Sequence, residues 1–411
     1  MATMARSGLD VPVSAIDVSD AALYADDSWR PVFARLRAEA PVHHQPHSPF
    51  GPYWSVTRHA DIMAVEARPD IFSSSHEFGG ITVVDLFGEY NLPQFIAMDR
   101  PRHREQRRVV APAFGPSEIA RMAVEVRART RELIDGLPIG EEFDWVDRVS
   151  IELTTGMLAI LFDYPWDKRR DLTLWSDWGG DIEAALNPAT KDIRQQHLID
   201  MTHALDALMA ERKARPPSGD LIGAMAHSDA MGGMPFQERT GNYILLIVGG
   251  NDTTRNSMSG LVEAFNRHDG EWAKLEADHG LIPNAISEIL RWQTPLAHMR
   301  RTAIADADIA GHAVKQGDKI VLWYISGNRD ESVFPAAETF DISRPNARRH
   351  LSFGFGVHRC VGARLAELQL AVLLEELLAR RIFPRQVGPA EYVPQCFVHG
   401  FRKLPVVLER R

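Results

Sequence analysis

Cysteine is nearly missing from this sequence, since only Cys360 and Cys396 occur among its 411 residues. Two cysteines form at most one bridge, so disulfides do not hold this chain together, and a reducing compartment fits. Long apolar runs are also missing, because the longest, such as residues 243–248, have the length of a core segment rather than of a membrane span or signal peptide. We therefore expect a cytoplasmic protein without a membrane anchor.

The chain also lacks long basic runs, repeats and low-complexity segments. Its 46 basic and 55 acidic residues give a net charge of −9, which argues against a nucleic-acid partner. No Gly/Ser-rich linker divides it, so we expect one domain over residues 1–411, with about 1–20 as an N-terminal extension, and a monomer. With 45% apolar residues, the chain has a core large enough to enclose a sizeable ligand.

Most long windows place apolar residues at helical spacing, and alternating or β-branched runs are few. The extended runs lie in the first sixth and the last quarter of the chain, which predicts a mainly α protein with a small β region, an α+β fold. An irregular, proline-containing stretch over 334–356 leads to the first cysteine. The predicted helices are 29–40, 116–137, 147–161, 193–214, 235–264, 272–292 and 362–378, and the predicted strands are 53–57, 302–304, 313–314, 319–323 and 406–408.

The segment FGFGVHRCVG over 353–362 places three glycines around Cys360, directly before a predicted helix. The glycines allow a tight turn and the close approach of a flat ligand. A helix N-terminus together with His358 and Arg359 favours the thiolate, which is the form of cysteine that binds iron. For a lone cysteine without this context, a buried and inert side chain is the alternative interpretation.

Gly249 and Gly250 interrupt a helical pattern and precede Asn251, Asp252 and Thr253. Each glycine costs about 1 kcal/mol in a helix relative to alanine, so we expect the missing side chains to make room beside a ligand. An acid followed by an alcohol can hold a water and relay protons. The spacing alone favours another interpretation, in which these residues cap the start of a new helix.

Two further blocks place charged side chains on predicted helices. His103 and Arg107 lie four residues apart after the helix start at 99–101, so they share a face that can hold a carboxylate, or else form a solvated basic surface. Glu288 and Arg291 lie three apart on a predicted helix over 284–292, where an exposed ion pair is the alternative.

Taken together, these blocks resemble the cytochrome P-450 family, the haem-thiolate monooxygenases, in the family's order over residues 99–362. The resemblance implies the P-450 fold, with haem b (iron protoporphyrin IX) between the oxygen-activation helix and the Cys-loop helix, and O2 as co-substrate. It implies that Cys360 is the axial iron ligand and that Phe353, Gly362 and Gly249 adjoin the haem. Cys396 lacks such surroundings, which favours a structural side chain.

The resemblance also assigns roles to the charged residues. His103, Arg107, His358 and Arg301 would hold the haem propionates, with Arg300 as the other candidate for the fourth position. Asp252 and Thr253 would deliver protons and activate oxygen. Glu288, Arg291 and Arg344, the last in the segment 340–345, would form a structural network that supports the cysteine loop.

Residues 249–257, 295–303 and 350–362 look like those of the bacterial alkane and fatty-acid terminal hydroxylases. We therefore predict terminal (ω) hydroxylation of medium-chain alkanes or fatty acids, with terpene hydroxylation second and a non-catalytic haem-binding sensor as a remote alternative. The resemblance implies an apolar pocket lined by Phe78, Val83, Leu86, Leu245, Leu246, Val248, Leu296, Ala297, Met299 and Phe397, with Ile81, Val84, Phe87 and Val398 nearby.

Arginines are concentrated around two of these blocks, although the chain is acidic overall. We call these arginines the basic face. The alternative interpretation is that they are ordinary solvated side chains. No flavin or nicotinamide fingerprint is visible, and we expect no fused reductase, so electrons would come from NAD(P)H through a separate reductase and a [2Fe–2S] ferredoxin that docks on this face. The basic face comprises Arg102, Arg104, Arg107, Arg108, Arg348, Arg349, Arg359 and Arg364.

Overall fold

The structure is a computed structural model that describes residues 10–86, 88, 91–181, 183–217 and 220–411. Its α-helices are α1 (Ala22–Ala25), α2 (Trp29–Glu39), α3 (His59–Glu66), α4 (Arg102–Val110), α5 (Pro116–Asp135), α6 (Glu152–Phe162), α7 (Arg170–Gly180), α8 (Lys191–Lys213), α9 (Leu221–Ala226), α10 (Phe236–Arg267), α11 (Asp269–Ala277), α12 (Ile282–Gln293), α13 (Tyr324–Gly327) and α14 (Ala363–Ala379). The predicted mainly α fold with a small β region is confirmed.

The strands form small sheets at the edge of this helical body. The five-stranded sheet has the order β1-β2-β8-β5-β3, in which β2 and β8 are parallel and the other pairs are antiparallel. A three-stranded sheet has the order β4-β12-β9, and β6-β7 and β10-β11 are two-stranded. The strands are β1 (Val42–Gln45), β2 (Tyr53–Val56), β3 (Phe72–Ser73), β4 (Glu142–Asp144), β5 (Met299–Ala303), β6 (Ala307–Ile309), β7 (His312–Val314), β8 (Lys319–Leu322), β9 (Ile382–Gln386), β10 (Glu391–Tyr392), β11 (Phe401–Lys403) and β12 (Pro405–Arg410).

Helix α10 is the central element, and it packs against α6, α7, α8, α12 and α14. It begins after Pro235, whose extended backbone cannot continue a helix, and it runs without a break to Arg267. The block 249–254 therefore lies in the middle of one helix, and the capping interpretation is wrong. The surrounding helices hold Gly249 and Gly250 in helical conformation despite their low propensity.

Several predicted elements differ in their bounds, three of them as follows. The window 272–292 is divided, because the side chain of Asp278 accepts the N–H of Gly280 and caps a short 3-10 turn before α12. The window 147–161 begins as a π-helix (Val146–Ile151) before α6. Strand β5 starts at Met299, earlier than the predicted 302, because its backbone pairs with that of β8 from Met299 onwards.

The described part of the predicted N-terminal extension packs with the domain. Ile16 and Val18 are buried in one core cluster with Tyr24 and Trp29, so these apolar residues belong to the fold. Residues 1–9 lie outside the described part. No helix in the described ranges combines the length and apolarity that crossing a membrane requires.

Candidate functional site

A cavity of about 300 Å³ lies between α10 and the loop that carries Cys360. Gly249, Asp252 and Thr253 border it from α10, while Phe353 and Cys360 border it from the other side. The cavity therefore brings together blocks that are about a hundred residues apart in the chain. The cavity lies between the glycine-containing helix and the cysteine loop, where the resemblance places the haem.

The cysteine loop enters α14 through a short 3-10 turn at Gly356–His358. The N–H of Cys360 donates to the carbonyl of Phe353 (2.8 Å), which closes the loop, and the thiol opens onto the cavity. Protein atoms surround the sulfur on its other sides, and this burial raises the pKa of the Cys360 thiol.

That direction corrects the expectation of a thiolate stabilised by the loop. The N–H of Gly362 and the charges of Arg107 and Arg359 lower the pKa of the Cys360 thiol, but desolvation outweighs them. Without a bound cation, burial therefore favours the thiol form of Cys360. A bound metal cation deprotonates a coordinating thiol outright, so the loop suits a ligand that brings its own positive charge.

A cluster of cationic and imidazole side chains lies at one end of the cavity. Arg107, Arg301 and His358 line the cavity, and the ring of His103 packs against that of His358. Nε2 of His103 and Nδ1 of His358 are buried without a hydrogen-bond partner. Burial and the nearby arginines lower the pKa of His103 to about 4 and that of His358 to about 2, so both rings are neutral at neutral pH.

This cluster fits the acidic edge of a haem. Unpartnered buried polar atoms beside two guanidinium groups favour an anion that accepts several hydrogen bonds, as two propionates would. The sequence did not decide between Arg300 and Arg301 as the arginine that meets a propionate, and the structure places them differently. Arg301 lines the cavity, whereas Arg300 is paired with Asp85 and donates to the carbonyl of Phe78 (3.1 Å).

The acid and the alcohol of α10 both border the cavity, but they have different partners. Asp252 is buried, accepts a hydrogen bond from Ser176 of α7 (2.9 Å) and is paired with Arg255 (3.0 Å). Burial raises the pKa of the Asp252 carboxyl, and the charge of Arg255 opposes this. The hydroxyl of Thr253 donates to the carbonyl of Gly249 (3.1 Å).

The glycines around this helix make the close contacts possible. A Cβ on Gly180 of α7 would lie 2.6 Å from Oδ2 of Asp252, and one on Gly250 would lie 2.7 Å from a methyl of Leu158. A Cβ on Gly249 would meet nothing within 4 Å, because Gly249 faces the cavity. Gly249 therefore leaves room at the cavity, and Gly250 serves packing.

Glu288, Arg291 and Arg344 form one buried network. Both carboxylate oxygens of Glu288 accept from Arg291 (2.7 Å each), and Nε of Arg344 donates to Glu288 (3.2 Å). Arg291 also donates to the carbonyls of Asn328 and Ala337 (2.9 Å each). The exposed-pair interpretation is wrong here, since Glu288 and Arg291 are fully buried. The network fixes the irregular chain that leads to the cysteine loop.

Most of the predicted apolar lining residues do border the cavity, but three do not. Phe78 is on the surface, with 46% of its area exposed, and Val83 and Ala297 are buried together in a separate core cluster. Val84 is in the same cluster, and Phe87 lies outside the described residues. The residues that line the cavity are Ile81, Leu86, Leu245, Leu246, Val248, Leu296, Met299, Phe397 and Val398.

Among the site residues that the sequence patterns did not indicate are Tyr324 and Glu66. Tyr324 lines the cavity, and Glu66 of α3 is a buried partner of both Tyr324 and Arg301. The only signal in the sequence is an acid at the end of a short helix, four residues after the buried Ile62 and so on the same face. Nothing in the spacing links residue 66 with residue 301.

The basic face is largely exposed around the cysteine loop. Arg102 is paired with Glu238 (2.8 Å), and Arg107 turns towards the carbonyl of Arg359, which joins α4 to the cysteine loop. Arg348, Arg359 and Arg364 all lie near Glu367. The exposed members are Arg102, Arg104, Arg108, Arg348, Arg349, Arg359 and Arg364.

Comparison with known proteins defines the class of the enzyme. Residues 274–386 match the family model described as cytochrome P-450. The chain is 36% identical to linalool 8-monooxygenase of Pseudomonas putida, over 95% of this chain and 98% of that protein. It is 34% identical to a methyl-branched lipid omega-hydroxylase of Mycobacterium tuberculosis, over 97% of this chain and 95% of that protein.

Solved structures agree with this assignment. The fold is similar to that of the cytochrome P-450-153 from Novosphingobium aromaticivorans, with a TM-score of 0.92 and 54% identity over 96% of this chain and 99% of that one. The protein is a monooxygenase, an oxidoreductase. It belongs to the cytochrome P-450 family, which implies haem b and O2.

Proposed function

We propose that this P-450 hydroxylates the terminal carbon of medium-chain alkanes or fatty acids. The carrying observation is the aliphatic wall that Leu245, Leu246 and Val248 of α10 form with Leu296 and Met299. Such a wall binds hydrocarbon in proportion to the apolar area removed from water, at about 25 cal/mol per Å². The relative named a methyl-branched lipid omega-hydroxylase and the P-450-153 structure support an aliphatic substrate.

The proposed haem site uses the residues around the cavity. Cys360 would supply the sulfur ligand of the iron, Phe353, Gly362 and Gly249 would adjoin the haem, and the cluster of His103, His358, Arg107 and Arg301 would hold the propionates. When bound, the haem supplies the oxidising chemistry that transfers one oxygen atom of O2 to a C–H bond. Glu288, Arg291 and Arg344 keep the loop that carries the sulfur in place.

The proposed proton path begins at Asp252. Burial favours the protonated form of its carboxyl, which Ser176 of α7 and Arg255 of α10 hold between the two helices. Thr253, the next residue, lies on the cavity wall and has a hydroxyl that both donates and accepts. Asp252 therefore delivers protons to the cavity through Thr253 and a water.

Electrons are proposed to reach the site from NAD(P)H through a reductase and a [2Fe–2S] ferredoxin that docks on the basic face. Arg104→Glu and Arg108→Glu should each slow reduction by ferredoxin, and the defect should change with ionic strength, because exposed charges steer association. Lys403→Glu, an exposed change on β11 outside the basic face, is the control. Reduction rates independent of salt in all variants would contradict docking on this face.

A terpenoid substrate is the second candidate, because linalool 8-monooxygenase is 36% identical to this chain. An apolar wall discriminates weakly between linear and compact hydrocarbons, because each added or missing methylene changes binding by only about 1–3 kcal/mol. The experiment therefore compares n-octane, a medium-chain fatty acid and linalool as substrates, with surrogate redox partners and chromatographic identification of the products.

The proposal predicts terminal alcohols from the linear substrates. Val248→Phe, which narrows the cavity, should reduce octane turnover, while Phe78→Ala, a change at the exposed side chain, should leave it unchanged. Product formation from linalool alone would contradict the aliphatic proposal in favour of the terpenoid one. Bound substrate without turnover under any reductase would favour a sensor.

A further inference from the structure

The side chain of Glu66 connects three separate elements behind the proposed haem site. Its Oε1 accepts from Nη2 of Arg301 on β5 (2.9 Å) and from the hydroxyl of Tyr324 on α13 (2.6 Å). Its Oε2 accepts the backbone N–H of Phe355 in the cysteine loop (2.9 Å). Glu66 is only 4% exposed, so these bonds are made away from water. One carboxylate thus joins the arginine that lines the cavity to the loop that carries Cys360.

The cysteine loop is shaped to approach Glu66. Gly354 and Gly356 both have positive φ, +65° and +70°. A Cβ on Gly356 would lie 2.7 Å from the carbonyl oxygen of Glu66, and one on Gly354 would lie 3.4 Å from the hydroxyl of Tyr324. The loop backbone therefore packs directly on the Glu66 cluster, at a distance that only glycine allows at residue 356.

Glu66 is also the counter-ion of Arg301. Arg301 lies in a cluster of positive and imidazole groups with Arg107, His103 and His358, and the carboxylate of Glu66 is its ion-pair partner. The neighbouring Arg300 has a different partner, Asp85. Residues 300 and 301 are consecutive on a strand, so their side chains leave on opposite faces of the sheet. The chain thus provides two adjacent arginine–carboxylate pairs, of which one reaches the cavity.

We propose that Glu66 is a positioning residue that fixes both the Arg301 guanidinium and the cysteine loop relative to the haem, and this rests on the proposed haem-thiolate function. With Nη2 held by Glu66 and Nη1 donating to the carbonyl of Arg300 (2.7 Å), the guanidinium has one orientation at the cavity. The bond to Phe355 transmits the same restraint to the loop five residues before Cys360. Glu66 therefore holds the arginine and the cysteine loop in fixed positions at the haem site. Its negative charge also partly offsets the positive charge of Arg301 there.

The test substitutes Glu66→Gln, which keeps the shape and removes the charge. An amide offers one acceptor oxygen, so at least one of the three donors then faces an NH2 group. We expect haem transfer to apomyoglobin to become about tenfold faster or more, as for other supporting residues of a metal site. We also expect a higher reduction potential of the bound haem, because a negative charge near the site is lost.

Three variants separate this role from general packing. Asp85→Asn neutralises the partner of Arg300 and should leave haem retention unchanged. Tyr324→Phe removes one donor to Glu66 but keeps the charge, so it should speed haem loss less than Glu66→Gln and should not raise the potential. Glu66→Asp keeps the charge and should restore the potential of the wild type.

The outcomes distinguish this inference from the proposed function. A wild-type protein whose reduced carbon monoxide complex lacks the thiolate spectrum contradicts the haem-thiolate proposal and this inference with it. A wild type with that spectrum, and a Glu66→Gln variant with unchanged haem retention and potential, contradicts the role of Glu66 alone. Should Glu66→Gln not fold, Tyr324→Phe and Glu66→Asp carry the test, and haem loss as slow as in Asp85→Asn in both would overturn the inference.

Discussion

The imidazole rings of His103 and His358 lie with their centroids 4.1 Å apart, and one nitrogen of each ring is buried without a hydrogen-bond partner. Two residues far apart in sequence thus bring unpartnered ring nitrogens to the same end of the cavity as Arg107 and Arg301. An unpartnered buried polar atom costs about 1–3 kcal/mol, which a ligand with acceptor oxygens would recover. This arrangement therefore strengthens the binding of haem and lowers the stability of the haem-free protein.

His103→Phe tests that balance. The substitution keeps an aromatic ring beside His358 and removes the unpartnered nitrogen, so we expect the haem-free protein to unfold at a higher temperature and the bound haem to be lost faster. Thermal unfolding with and without haem, together with haem transfer to apomyoglobin, measures both effects. A fall in the stability of both forms would show that His103 serves only packing.

Asp252→Asn tests the proposed proton path. The amide still bonds with Ser176, but it has no acidic proton, so we expect turnover to fall by about a hundredfold or more while substrate binding, followed by the haem spectrum, is unchanged. The solvent isotope effect on turnover should rise. Asp177→Asn is the matched control, because Asp177 is the other acidic partner of Arg255 and is half exposed.

A second pair of variants reaches Asp252 from α7. Gly180→Ala places a methyl 2.6 Å from Oδ2 of Asp252 and must displace the carboxyl, whereas Gly179→Ala meets only side-chain methyls of Val248 and Ile244. Turnover should therefore fall more in Gly180→Ala than in Gly179→Ala. If Gly180→Ala, Gly179→Ala and Asp252→Asn all had the same turnover, Asp252 would not be the proton donor.

Glu288→Gln tests the network behind the cysteine loop. It leaves two buried guanidinium groups, on Arg291 and Arg344, without their carboxylate, and breaking a buried ion pair in this way costs about 3–5 kcal/mol. Denaturant unfolding of the purified protein gives the change in the free energy of unfolding. Asp306→Asn, in an exposed pair with Lys315, should leave the midpoint unchanged. If Glu288→Gln and Asp306→Asn had equal denaturation midpoints, the buried network around Glu288 would have no structural role.

Sequence patterns were sufficient for the elements whose signals are local. The helical spacing over 235–264 predicts α10, and the block 353–362 predicts the loop and the start of α14 because both are contiguous. The break at Asp278 was missed, since one aspartate caps a turn without interrupting the apolar periodicity of the window 272–292.

Long-range features could not be obtained in this way. Glu66 meets Arg301 only because α3 packs on the sheet that contains β5. Val83 and Ala297 have the same apolar character as true lining residues, and only tertiary packing sends them into another core cluster. The raised pKa of the Cys360 thiol is likewise a matter of burial, which no local motif reports.

The buried His298 predicts how stability changes with pH. Its Nε2 accepts the N–H of Val83 (3.1 Å) and its Nδ1 donates to the carbonyl of Cys396 (2.8 Å), and burial lowers the pKa of His298 from 6.5 to about 4. The unfolded chain therefore binds a proton before the native state does. The contribution of His298 is complete above the unfolded pKa and declines as the pH falls towards about 4, by roughly 3 kcal/mol at most.

His298→Gln retains a donor and an acceptor without titrating. Its free energy of unfolding should therefore fall less steeply than that of the wild type between pH 6.5 and 4. Denaturant unfolding across this range, compared with the exposed variant His279→Gln, isolates the contribution of this ring. If the free energy of unfolding of His298→Gln fell as steeply towards pH 4 as that of the wild type, His298 would not cause the loss of stability in acid.

Binding of a haem iron by the sulfur of Cys360 can be measured in the absorption spectrum of the dithionite-reduced protein under carbon monoxide. We expect the red-shifted Soret band of a thiolate-ligated haem in the wild type and its loss in Cys360→Ser, whereas Cys396→Ser, a change in the buried core, should retain it. The same band in Cys360→Ser, or none in the wild type reconstituted with haem, would show that Cys360 does not bind the iron.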